Sequence, residues 1–376
     1  MQIGMLWGQG GTAGGLDRIY TDLVRALPAC GVNVTGAVWG PDDVAALSSG
    51  RVHSFAPQSA TTLQRYRGAR RVIASLMREQ HFDLVASHFA LYSGLVYERL
   101  RRQPLVVHFH GPWHTEGAEE GTGRIGVRCK YQIEKAVYRR ADRVIVLSLA
   151  FRDLIVSEFG IPADRVRLVP GHVDLERFGT TVTRSSARAR LGWPNDRPIL
   201  FSVRRLMRRM GLDRLVEAMR IVVERIPDAL LYIGGKGPMK PLLEQQVDAA
   251  GLQNNVRLLG FIPDSDLPLA YRAADLNVVP TTLLEGFGLT AAEAIAAGTP
   301  SMVTPVGGLP EVVVPLSADL LFASTSPADI AAALTDVLLG RTRLPTQQEC
   351  RAYAEARFSL PAAAKRTAAV YLEAMQ

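Results

Sequence analysis

Thr281-Thr282-Leu283-Leu284-Glu285-Gly286-Phe287-Gly288-Leu289-Thr290-Ala291-Ala292-Glu293-Ala294-Ile295-Ala296-Ala297-Gly298 is the stretch whose reading decides the fold. Before it, residues 276–279 are a short β-prone run closed by Pro280. After it, Gly298-Thr299-Pro300 is a helix stop and residues 301–303 suit the next strand. The middle therefore reads as strand, glycine-rich loop and helix, with the helix starting near Leu289. Gly286 and Gly288 let the backbone approach a ligand closely. The first amides of the helix lack intrahelical acceptors, and such an end favours an anion, most often a phosphate. Glu285 lies in the loop and Glu293 in the early helix, so two carboxylates flank the anion site. Carboxylates accept from hydroxyls while amides donate to phosphate, which suits a hydroxyl-rich phosphate ester. The simpler alternative makes Glu285 a helix cap and Glu293 a surface charge. The Gly-Phe-Gly between them and the Gly-Thr-Pro stop favour the site.

Working outward, the same alternation fills the chain. A first strand over residues 2–6 runs into a glycine-rich turn, Gly8-Gln9-Gly10-Gly11-Thr12-Ala13-Gly14-Gly15, and then a helix over 16–27. Strands follow over 32–39, 52–55 and 83–88, with an arginine-rich helix before the last of these. Another strand from Leu105 empties into a loop by Trp113, and two more cover 143–148 and 166–170. Residues 179–190, rich in Thr, Ser and Arg, are the expected linker. A second series follows, with strands over 199–203, 229–233, 256–259, 276–279, 301–303 and 319–322. Strand and helix alternating twice over imply an α/β protein with two doubly wound parallel sheets. Ligands of such sheets bind beyond the carboxyl ends of the strands. His88, His110 and Trp113 are therefore site candidates, whereas His108 faces the sheet and reads as a structural histidine.

At 376 residues there is material for two cores. The net charge of +7 is spread over both halves, unlike the concentrated footprint of a nucleic-acid binder. One local excess runs from Val44 to Arg78, where Arg51, Arg65, Arg67, Arg70, Arg71 and Arg78 meet no acid. Such a stripe is ordinarily a solvated face, and its less favoured reading is a weak peripheral contact with an anionic membrane. Cys30, Cys129 and Cys350 are scattered and lack metal-ligand spacing. With no signal-peptide pattern and no spanning run, the expected location is cytoplasmic, at most peripheral to the inner membrane face. Asp264-Ser265-Asp266 reads as a helix start rather than a metal motif, so no metal is expected.

The Glu285–Glu293 spacing, E-x7-E, resembles the signature of the retaining glycosyltransferases of family 4, which have the GT-B fold. The resemblance extends through Gly14-Gly15, the strand at Ala141–Ser148, the crossover at Pro170–Phe178, Gly260-Phe261-Ile262-Pro263, Gly307-Gly308-Leu309-Pro310-Glu311 and Arg357-Phe358-Ser359. It implies two Rossmann-like domains facing each other across a cleft: residues 1–178 for the acceptor and 179–359 for the donor. The last helix, about 360–376, would cross back to the first domain. It also implies transfer of a sugar from a nucleoside diphosphate sugar to a glycan, lipid-linked or natural-product hydroxyl. The diphosphate would leave from the front face, without metal and with no other cofactor. In that reading Arg205 and the loop amides of Gly286, Phe287, Gly288 and Leu289 hold the leaving diphosphate. Glu285 holds the donor sugar, Glu293 the ribose, Ile262 the base through its backbone, and His110 the outer sugar edge. Gly14 and Gly15 form the amino-terminal glycine loop. The chain departs from the pattern where the family has Arg-x4-Lys: Arg205 matches, and the lysine position is Met210. Arg209 is the expected replacement cation, while Arg204 is expected at the surface or rim. The competing readings are a sugar-nucleotide 2-epimerase and a non-catalytic nucleotide-sugar binder.

Overall fold

The structure is a computed structural model describing residues 1–7 and 14–376. The chain divides into two compact units, residues 1–171 with 360–376, and residues 172–359. The first holds a 7-stranded parallel sheet. Its strands are β1 (Gln2–Leu6), β2 (Gly36–Trp39), β3 (Val52–Ser54), β4 (Val85–Ser87), β5 (Leu105–Phe109), β6 (Arg143–Val146) and β7 (Val166–Leu168). Their order is β3-β2-β1-β4-β5-β6-β7. Helices on both faces leave strands such as β5 buried along their full length, which is why they read as apolar runs rather than alternating ones. The order reverses between β1 and β4, and the crevice there opens at the carboxyl ends of the strands. His88 follows β4 and His110 follows β5, one strand further out.

The second unit holds a 5-stranded parallel sheet made of β8 (Ile199–Val203), β9 (Leu230–Gly234), β10 (Val256–Gly260), β11 (Leu276–Val279) and β12 (Ser301–Val303). Their order is β10-β9-β8-β11-β12, so the reversal falls between β8 and β11. β8 delivers Arg204 and Arg205 to that point, and β11 delivers the loop that carries Glu285.

The carboxyl-terminal helix Leu360–Ala374 belongs to the first unit. Tyr371 on it meets His108 of β5 at 2.8 Å, and Glu373 pairs with Arg143 at 2.9 Å and with Arg167. Among the described residues no helix is long and apolar enough to cross a membrane.

Four expectations are corrected. The strand expected over 32–39 keeps only Gly36–Trp39. The stretch 179–190, expected as a linker, is helical over Arg184–Leu191. Thr183 caps it by accepting from the Ser186 amide at 3.2 Å, and Gly192 ends it in a left-handed conformation. Residues 319–322 form a 3-10 turn, Ala318–Leu320, and a single bridge from Leu321 to Val303 rather than a strand. Trp113 opens a helix, Trp113–Glu119, rather than lying in a loop.

Candidate active site

In the second unit the stretch that opened the sequence folds as strand, loop and helix, the helix being Leu289–Ala296. Gly288 caps it at φ 93°, and a Cβ there would lie 2.5 Å from Leu309 Cδ2. Only glycine fits a position that is both left-handed and this close to a neighbour. The Gly288 carbonyl accepts from Ala291 at 2.9 Å and Ala292 at 3.1 Å. The amides of Leu289 and Thr290 have no acceptor among the described residues, and the buried Thr290 hydroxyl has no partner either. Three donors therefore collect at the positive end of a helix dipole.

Glu293 lies inside the helix, 4% exposed, and the Tyr271 hydroxyl donates to it at 2.9 Å. It is thus not a surface charge. Glu285 does not cap the helix. Its carboxylate pairs with Arg204 and accepts from the Thr281 hydroxyl at 3.2 Å. Its carbonyl accepts from the Gly308 amide at 2.9 Å, and a Cβ on Gly307 would press to 2.0 Å from that same oxygen. Gly307 thereby lets the loop after β12 approach the Glu285 backbone, where the Gly308 amide bonds it.

The arginines sort by fold rather than by sequence. Arg204, expected at the surface, has a side chain only 6% exposed and grips Glu285, while its Nε and Nη1 are buried without partners. Arg205 is exposed and makes no ion pair among the described residues. Arg209 is buried, donates from Nη1 to the Leu284 carbonyl at 2.8 Å, and accepts on its own carbonyl from the Thr282 amide at 2.9 Å. It is therefore stapled along the loop beside Glu285, and Leu284 between them is held at φ 55°. Met210 is buried at 5% exposure, inside the turn Arg208–Met210. Ile262 sits against Gly234 at the end of β9, its amide and carbonyl unbonded among the described residues. Phe287 packs edge-on to Phe358 at 5.6 Å, and Gly286 is partly exposed beside it. Asp264 pairs with Arg177 at 3.2 Å, and Asp266 precedes the helix Leu267–Ala273 without a capping bond from its side chain.

In the first unit, His88, His108 and His110 form a column of near-parallel rings, with centroids 4.0 Å apart for His88–His108 and 5.5 Å for His88–His110. Burial lowers the pKa of all three, aided at His88 by its two neighbours, and His110 is pushed down to about 3. At neutral pH the column is uncharged. Beyond His110, the helix Trp113–Glu119 is pinned by Glu134, which no sequence signal singled out. Its carboxylate accepts from the Trp113 amide at 2.7 Å, the His114 amide at 3.1 Å and His114 Nδ1 at 2.7 Å. Burial raises the Glu134 pKa, against the pull of these hydrogen bonds. Trp113 itself lies under the Lys130 ammonium at 4.7 Å. Gly14 caps the helix Gly15–Ala26, its amide held by the buried Asp17 at 2.8 Å, while the rest of that glycine turn, residues 8–13, lies outside the described residues.

Two doubly wound units of this kind define the GT-B fold, and the comparisons with known proteins agree. Residues 13–177 match Glycosyltransferase Family 4, and residues 183–357 match Glycosyl transferases group 1. A D-inositol 3-phosphate glycosyltransferase of Catenulispora acidiphila is 30% identical over 98% of this chain and 92% of its own length. Mannosylfructose-phosphate synthase of Agrobacterium fabrum is 29% identical over 61% of this chain, which spans 55% of that relative's length. Sucrose-phosphate synthase from Thermosynechococcus elongatus superposes with a TM-score of 0.84 at 24% identity, over 99% of this chain and 98% of its own. The chain belongs to glycosyltransferase family 4.

Proposed function

We propose that the chain is a retaining glycosyltransferase that moves a sugar from a nucleoside diphosphate sugar to a hydroxyl-bearing acceptor without a catalytic metal. The observation that carries this reading is the open amino end of Leu289–Ala296, where the Leu289 and Thr290 amides and the Thr290 hydroxyl are unengaged between Glu285 and buried Glu293. Family membership supports it.

In this reading the second unit binds the donor and the first the acceptor. The three donors at the helix end and Arg205 receive the diphosphate, with Arg209 standing in for the cation absent at Met210. Glu293 accepts from the ribose hydroxyls and Glu285 from the sugar hydroxyls. The bond from the anomeric carbon to the diphosphate oxygen breaks, the acceptor oxygen bonds to that carbon on the same face, and its proton passes to a donor phosphate oxygen. The protein's contribution is a preorganised set of donors for the charge that develops on the leaving group. The names of the two sequence relatives both carry a phosphorylated acceptor or product, so phosphorylated polyols are the first acceptors to try.

The test is a matrix of uridine, guanosine and adenosine diphosphate sugars against phosphorylated polyols, free glycans and lipid-linked acceptors, with the anomeric configuration of the product read by NMR. Transfer with retention is the expected result. Tight donor binding with neither transfer nor hydrolysis across the matrix would instead identify a non-catalytic binder.

A further inference from the structure

His88 and His110 meet through their ring nitrogens, Nδ1 of His88 lying 3.3 Å from Nε2 of His110. Both imidazoles are neutral at physiological pH, so one ring must donate and the other accept. The far side of His88 decides which. Its Nε2 is buried and has no hydrogen-bond partner, in a side chain only 2% exposed. If His110 donated, the single proton of His88 would sit on Nε2 as a buried N–H with nothing to receive it. If His88 donates from Nδ1, only an imine lone pair is left unpaired. A stranded buried N–H is the rarer of the two and costs a full desolvation penalty.

The surroundings lock this arrangement. The His88 amide is fixed to the Ile3 carbonyl at 2.8 Å, Tyr20 packs edge-on at 5.1 Å, and His108 stacks at 4.0 Å. His108 cannot substitute as a partner, because it lies face to face with His88 while imidazole hydrogen bonds run in the ring plane, and its Nε2 is engaged with the Tyr371 hydroxyl at 2.8 Å. A shared metal ion is a poor alternative occupant for the column. An ion must lie near the plane of every imidazole it binds, and the His88 and His108 rings lie face to face, centroids 4.0 Å apart and planes 12° from parallel, so the lone pairs of these two run in separate layers.

We propose that His88 is a positioning residue that fixes His110 in the Nδ1–H tautomer. His110, partly exposed at the end of β5, then offers a neutral N–H to an oxygen of the substrate rather than a cation or a base. The role toward substrate rests on the glycosyl-transfer reading, whereas the tautomer does not. A residue acting this way is invisible to any ligand contact map, yet it decides whether the contacting nitrogen donates or accepts.

Long-range 15N–1H correlation spectra of histidine-labelled protein at pH 7 read the tautomer directly. The expected result is the Nδ1–H form for both His88 and His110. An Nε2–H signal for His110, or the nitrogen shifts of a metal-bound ring, overturns the proposal whatever the enzyme's activity. The variants add a second readout. Asn at position 88 places an amide N–H where Nδ1 stood, so His88→Asn should keep turnover close to wild type and His110 in its tautomer. His88→Leu should lower kcat roughly tenfold with little change in donor KM, and move His110 to Nε2–H. A folded His88→Leu with wild-type kcat overturns the proposal. If the leucine variant does not fold, the wild-type spectrum decides alone. Absence of transfer with every donor would defeat the reading of function and leave the tautomer assignment to the same spectrum.

Discussion

Glu293 is a carboxylate enclosed in its own helix, 4% exposed, with Tyr271 donating to it from the neighbouring helix Leu267–Ala273. Burying such a group is costly unless hydrogen bonds satisfy it, and Tyr271 supplies one of them beside the open helix end. Glu293→Ala should weaken binding of the nucleoside diphosphate by about 1.5–3 kcal/mol, the range for hydrogen bonds to a charged group. Calorimetry showing unchanged affinity would remove Glu293 from the site. Arg209 makes a sharper case. It holds the Leu284 carbonyl one residue before Glu285, so Arg209→Ala should lower kcat more than it raises KM, because charge gathers on the diphosphate only as the glycosidic bond breaks. Met210 is buried, and Met210→Lys should lower the Tm of the free protein while enlarging the Tm gain on adding nucleoside diphosphate. An equal gain in both proteins would mean that the new amine does not reach the phosphates. At this scale the sequence was legible in the strand, loop and helix around Gly-Phe-Gly, with the helix starting at Leu289 as its glycines and Gly-Thr-Pro stop required. It was not legible at Arg204 and Arg205. Adjacent residues leaving a strand point to opposite sides, and which side meets Glu285 is decided by a loop more than seventy-five positions away.

The helix Thr62–Glu79 keeps the arginine excess on one face. Gly68, Ala69, Ile73 and Leu76 are buried, and Leu63, Arg67, Arg70, Arg71 and Arg78 are exposed. Arg65 lies apart from this face, over the Trp39 ring at 4.3 Å and bonded to Thr62. The exposed set is a basic stripe with one apolar residue at its amino end, the form that suits an anionic lipid surface. Replacing Arg67, Arg70 and Arg71 together by Ala should abolish cosedimentation with phosphatidylserine vesicles at low salt, each side chain being worth about 1 kcal/mol there. Transfer to a water-soluble acceptor should be unaffected. Equal pelleting of the triple variant, or no pelleting of the wild type, would leave the stripe as a solvated face. Periodicity found this helix because its buried face repeats at helical spacing. It failed at Arg184–Leu191, where composition suggested a linker. There the Arg188 side chain is buried against the nearby Pro194, Asn195 and Arg197 carbonyls and against the Ala273 carbonyl and Asp275, and these last two lie 85 and 87 positions away, outside any local window. The helix Trp113–Glu119 escaped notice for a similar reason, since the carboxylate that satisfies its first amides comes from Glu134.

For the whole molecule, two predictions separate chemistry from stability. If the reaction needs no metal, turnover should survive EDTA, and loss of activity restored by magnesium or manganese would reopen the role of Asp264 and Asp266. The second concerns acid. His88, His108 and His110 all have folded pKa values below the unfolded value of about 6.5, because burial disfavours their charged forms. As pH falls, the unfolded chain therefore takes up protons that the folded chain refuses, and stability falls with it. The contribution is complete above pH about 6.5 and is lost as pH drops toward about 3, where His110 itself protonates. Each histidine adds a slope of about 1.4 kcal/mol per pH unit across that window. Glu134 works in the opposite sense, since its raised pKa makes the folded state the better proton acceptor around the carboxylate range. The histidine loss therefore dominates between pH 6 and pH 5. Denaturant unfolding of His88→Asn, which deletes one titrating ring while keeping the donor to His110, should show a stability slope in that interval shallower by about 1.4 kcal/mol per pH unit than wild type. Parallel slopes for the two proteins would mean that His88 binds its proton in the folded state, and the neutral column would then be wrong.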